Sequence, residues 1–303
     1  SIGSTATKTL TVPIVGGLTA AVKSASDFES AFTGVQKTVD ATKEEYAELA
    51  QGITEMSERM PQSASQIAAV MEIAGQLGVR GTDNLLTFTE TMIKLGDSTN
   101  LSSEEAATSI ARIMNIMGDE APDAVERFGS TIVELGNNYA TTESDVVAMT
   151  NRLAAGGKIA GLTTPEIMAL ATAMSSVGIE AEAGGTAMVQ TFNEIEKSVA
   201  VGGDKLDLFA QTANMTSEEF ATTWKTKPIE AIEAFITGLG KVEENGGNTV
   251  LLLEELGLTG IRQSNMLKSL ASAGDLLGNT LETANSAWQD NTALTEEASK
   301  RYE

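Results

Sequence analysis

The residues of this chain that could do chemistry are its carboxylates. Asp and Glu number 42 against 20 Lys and Arg, and the 303 residues include no His and no Cys. Four pairs, Glu104-Glu105, Glu218-Glu219, Glu254-Glu255 and Glu296-Glu297, are the strongest material for an enzyme, because glycoside hydrolysis needs two carboxylates and no imidazole. Their surroundings point elsewhere: each falls where a helix would place it in its first turn or on its polar face, complementing the helix dipole or keeping the surface solvated. The missing residue types exclude more. Without His or Cys there is no Ser-His-Asp or Cys-His catalysis, no imidazole or thiolate metal site, and no disulfide. Gly202-Gly203-Asp204-Lys205-Leu206-Asp207 holds only a fragment of an oxygen-ligand cation loop, which would need alternating Asp and Asn, a turn glycine and a distant Glu. Gly156-Gly157-Lys158 has neither a preceding strand nor the full spacing of a phosphate loop, so it reads as a helix-ending turn. Met114, Met117, Met168 and Met174 could line an adaptable groove, but core filling explains them more simply. The chain is therefore read as no enzyme, with no catalytic, cofactor-binding or metal-binding residue and no cofactor.

The elements that would position these residues are helices. Apolar residues recur three and four apart, as in Ile67, Val70, Met71, Ala74 and Leu77, the spacing of one buried helical stripe. Five capping boxes mark starts: Thr42 with Glu45, Ser63 with Gln66, Ser102 with Glu105, Thr163 with Glu166 and Thr216 with Glu219. Gly78, Gly118, Gly136 and Gly178 read as ends, and the doublets Gly156-Gly157, Gly184-Gly185, Gly202-Gly203 and Gly246-Gly247 as interruptions. The pattern predicts helices over 18–38, 43–59, 64–77, 84–95, 103–117, 122–136, 144–156, 165–177, 183–199, 204–213, 217–224, 228–243, 248–256, 262–273 and 275–301. The fold class is all-α, an irregular multi-helix bundle or array with an extended N-terminal lead-in; the spacing is too uneven for a solenoid. Residues 1–22, β-branched and Thr-rich with Pro13 removing a donor, form that lead-in or linker, and 23–303 the helical module, within which a division into two sub-bundles near 200 stays open.

The composition, 42% hydrophobic and 20% charged, is that of a soluble, folded chain. A net charge of −22 would repel phosphate backbones, so no direct nucleic-acid binding is expected. The charge is uneven, since Lys8, Lys23 and Lys37 balance Asp27, Glu29 and Asp40 in the first 41 residues. No apolar run approaches the roughly 20 residues of a membrane span; the densest, Val250 to Leu253, stops at Glu254. The start at Ser1-Ile-Gly-Ser, without Met or signal-peptide pattern, reads as a boundary inside a longer protein.

An ordered set of segments carries a resemblance. Thr9-Leu-Thr-Val-Pro-Ile14, Ala25-Ser-Asp-Phe-Glu-Ser-Ala31, the Thr-x-Glu-Glu-Tyr and Ala-Glu-Leu-Ala stretch at 42–50, Ser65 through Gly78 into Val79-Arg80-Gly81, Leu162 through Ala171 and Glu182-Ala-Gly-Gly-Thr-Ala187 together resemble the core region of phage tail tape measure proteins. The likeness spans roughly residues 3–300. It implies a virion structural protein of a phage or prophage that occupies the lumen of the tail tube, sets tail length during assembly in the bacterial cytoplasm and leaves ahead of the DNA in genome ejection. Its implied partners are tail tube, tail-tip and tail assembly chaperone proteins; self-association is expected separately, because stacked helices without a closed core expose apolar stripes that need a partner. A ruler needs continuous helix at about 1.5 Å per residue, whereas this stretch is broken by glycines and prolines, so we expect a folded module with measuring done by coiled segments outside it. The alternative function is a cytosolic helical scaffold or protein-binding module. A carboxylate hydrolase is the third reading.

Overall fold

The computed structural model describes residues 25–119, 121 and 123–302. The lead-in at 1–22 lies outside these residues, as does the beginning of the helix expected at 18–38. Among the described residues there are sixteen helices and no strand, so the chain is all-α. It forms two compact units, which divide between Ile93 and Lys94.

The first unit holds helix α1 over 25–38, α2 (Lys43–Arg59), α3 (Ala64–Gln76) and the greater part of α4 (Thr82–Ser98). Glycines let these helices approach. A Cβ at Gly75 in α3 would meet Val39 Cγ2 and Thr38 Oγ1, each at 2.7 Å, and one at Gly34 in α1 would strike the Glu72 carboxylate. Leu49, Ile53, Met56, Ile67, Met71, Phe88 and Met92 form the core. Two polar contacts fix the register. Tyr46 Oη donates to the Val39 carbonyl at 2.6 Å, closing the end of α1, and Arg59 grips Glu90 with two parallel bonds of 2.9 and 2.7 Å.

The second unit runs from the last turn of α4 through α5 (Ser103–Met117), α6 (Ala124–Asn138), α7 (Glu143–Ala160), α8 (Thr164–Ser176), α9 (Ala181–Val201), α10 (Asp204–Thr212), α11 (Ser217–Thr226), α12 (Pro228–Glu244), α13 (Thr249–Glu255), α14 (Ile261–Ala271), α15 (Leu276–Asp290) and α16 (Ala293–Tyr302). Its centre is α8, which buries Thr164, Pro165 and every residue from Ile167 to Met174 because α6, α7, α14 and α15 surround it. Apolar residues all round a helix, rather than one stripe, are what such a position requires. A second cluster joins α10, α11 and α12 through Phe209, which lies 6.0 Å from Phe220 and 5.1 Å from Phe235 between ring centres, with all three rings buried.

The capping residues act as the sequence predicts. Thr42, Ser63, Ser102 and Thr216 exchange bonds reciprocally with the residue three positions on, and Thr163 donates its N–H to Glu166 at 2.7 Å. Gly118 closes α5 with φ 73°, ψ 32°, the left-handed conformation that glycine adopts without penalty. Other glycines were expected to end or interrupt the helical pattern and instead lie inside helices. Gly136 is within α6, Gly156-Gly157 within α7 and Gly184-Gly185 within α9. The physical reason is close packing: a Cβ at Gly156 would come 2.5 Å from Val189 Cγ2, and one at Gly185 would come 2.5 Å from Arg152 Cβ, so a glycine of each helix receives a side chain of the other where α7 meets α9. The opposite correction applies at the C-terminal end. The helix expected over 275–301 is two helices, parted at Asn291.

Candidate functional surface

The residues singled out for possible chemistry are dispersed. Glu104-Glu105 and Glu218-Glu219 occupy the first turns of α5 and α11, Glu254-Glu255 the last residues of α13, and Glu296-Glu297 the start of α16. Glu105 and Glu219 are held below the ordinary carboxylate range, first by the backbone N–H groups of Ser102 and Thr216 and then by their hydroxyls. A carboxylate stabilised in its charged form at a cap is a poor general acid. Asp204 and Asp207 lie in the first turn of α10, where Asp207 accepts from the Ser217 hydroxyl and so ties α10 to α11. Lys158 stands in the last turn of α7 and donates to the Ile116 carbonyl at 2.7 Å, which spends its charge on the end of α5 rather than on a phosphate. Met168 and Met174 are fully buried in α8 and Met114 and Met117 half-buried in α5, so the four divide between core and flank instead of lining one groove. Among the described residues no three acidic side chains gather as a metal site would require, and no helix is long and apolar enough to cross a membrane.

A cleft of about 730 Å³ runs along α12 against the α10–α11 turn, lined by Gln211, Asn214, Glu230, Glu233, Thr237 and Lys241 among others. Its electrostatics centre on Glu233, whose carboxyl is pushed above the ordinary range by burial, with the neighbouring charges of Glu230 and Asp275 adding to the effect. Asn214 enters the cleft wall at φ 56°, a left-handed conformation that Asn tolerates better than most side chains. Trp224 Nε1 donates to Glu196 Oε2 at 2.5 Å, joining α11 to α9. Amide, hydroxyl, carboxylate and ammonium side chains line the cleft, which makes it a polar surface. Large apolar side chains that remain exposed in this unit are Ile159 at 86%, Ile261 at 81% and Val201 at 78%, with Val250 and Leu251 on α13.

Similarity decides the class. The model of the phage-related minor tail protein family matches residues 50–298. The chain belongs to that family. No curated protein and no solved structure matches it. As a minor tail family member it is a phage tail protein with a structural part to play, and the match covers the described helices from the end of the first turns of α2 to the middle of α16. The scattered carboxylates then have a consistent reading, since a virion component needs caps and a solvated surface.

Proposed function

We propose that this minor tail protein is a segment of a tail tape measure protein and acts in tail assembly as a folded module, with length measured by coiled segments elsewhere. The observation that carries the modular part is helix length: the longest helix among the described residues is α9 with 21 residues, about 30 Å, and its neighbours turn back on it. A ruler built from these residues would need them in one line. Its partners in this reading are the tail tube, tail-tip and chaperone proteins and further copies of itself, and its place is the tube lumen after assembly in the host cytoplasm. An anionic surface, net −22, would not adhere to DNA following it through a tube, which extends the reading to genome delivery.

An in-frame deletion of residues 42–303 in the parent phage tests it. Absent or tipless tails in electron micrographs are the expected result. Tails shortened by about 1.5 Å per removed residue would assign the segment to the ruler itself, and normal infectious tails would overturn the proposal.

A further inference from the structure

The elbow between α15 and α16 is held by an unusual set of groups. In a continuous helix the carbonyls of Trp288, Gln289 and Asp290 would accept from the N–H groups of Thr292, Ala293 and Leu294. Two side chains of α6 replace that ladder. Arg127 Nη1 donates to the Trp288 carbonyl at 2.6 Å and reaches the Gln289 carbonyl at 3.4 Å. Leu294 N–H donates to Ser130 Oγ at 3.4 Å, and that hydroxyl donates to Asn291 Oδ1 at 3.1 Å. Arg127 is itself aimed by Asp123, whose Oδ2 accepts from Nε at 2.7 Å.

No proline or glycine forces the break, although Asn291 is a residue type that ends helices in the left-handed conformation. Residues 279–302 contain neither proline nor glycine, and Asn291 N–H still donates to the Ala287 carbonyl at 3.0 Å, so the helix is intact up to that residue. Asn291 then turns to φ 51°, ψ 41°, which costs a side-chain-bearing residue something that asparagine bears better than others. The bent form is favoured by these contacts and by the burial of Leu294 and Ala298; the straight form is favoured by helix propensity and its own backbone ladder.

We propose that this elbow is a conformational switch: release of Arg127 and Ser130 lets residues 276–302 close into one continuous helix. The device does not rest on the tail assignment. Because these 303 residues include no cysteine, Asn279→Cys and Ser299→Cys, both at exposed positions, allow two spin labels in this chain without background. Twenty residues of straight helix separate these positions by about 30 Å. Pulsed electron resonance on the parent chain gives one distance shorter than that. Arg127→Met with Asn291→Ala moves the population to about 30 Å and raises far-ultraviolet helicity, Asn291→Ala alone moves part of it, and Asn291→Gly, which keeps the left-handed turn, leaves the parent distance. An unchanged distance in both alanine-bearing variants would overturn the proposal, as would a broad distribution without gain of helix.

Discussion

Replacing Gly238 with Ala tests the packing of the second unit at one atom. Gly238 lies inside α12, where alanine would ordinarily stabilise by roughly 0.5–1 kcal/mol through lower unfolded-chain entropy and better helix propensity. Here the added methyl would sit 2.7 Å from the Thr212 carbonyl carbon and closer still to its oxygen. That carbonyl belongs to the last residue of α10 and cannot swing aside as a side-chain tip would. One of the two helices must shift by on the order of an ångström, and overpacking of this kind costs roughly 1–3 kcal/mol. The clash outweighs the propensity gain, and we expect a net loss of about 1–2 kcal/mol. Gly52→Ala is the control. Its methyl would meet only the end of the Leu86 side chain, which can change rotamer, so its effect should be near zero. Urea unfolding followed by circular dichroism reads the difference as a lower midpoint at unchanged slope for Gly238→Ala. A Gly238→Ala protein as stable as Gly52→Ala would refute the close approach of α12 to α10.

Further expectations follow from the core, the caps and the half-buried carboxylate of Glu233. Leu170→Ala in the enclosed α8 should cost about 2–5 kcal/mol in the same assay, since Leu170 has no solvent exposure and its neighbours lie on several helices. Ser102→Ala should cost about 1 kcal/mol by freeing the Glu105 N–H, which now donates to Ser102 Oγ at 3.2 Å. Glu105→Ala should destabilise at neutral pH and lose its effect as pH falls below the ordinary carboxylate value of 4.5, because a carboxyl held low in the fold contributes stability only while ionised. Glu233→Gln should do the reverse. Burial raises the Glu233 carboxyl, so its ionisation weakens the fold above the ordinary range, and the variant should melt higher than the parent at pH 7 and equal it below about pH 4.5.

The fold was legible wherever its cause is local. Thr42, Ser63, Ser102, Thr163 and Thr216 mark helix starts because the groups that satisfy the first N–H donors lie within three residues. Gly156 was misleading as a helix end because glycine serves two opposite needs. It ends a helix by entering a left-handed turn, and it lets two helices touch, as at Val189 and Arg152; only the partner tells which. The elbow at Asn291 was missed for a related reason: the Arg127 side chain that holds it lies 161 positions away from Trp288. The division of the chain within α4 likewise leaves no mark, since it follows from contacts and not from a linker. Of the candidate chemistry, the carboxylate pairs lie on the helices their spacing predicts, while the cleft beside Glu233 depends on how α12 packs on the α10–α11 turn.

Locating the chain in purified virions tests the central claim most directly. Immunogold labelling with antibody raised against residues 94–301, combined with mass spectrometry of separated tails, should place it in the tail fraction, with gold at broken or emptied tails. Its absence from tails, with the protein found only in the host cytoplasm, would contradict the structural tail assignment and favour a cytosolic scaffold.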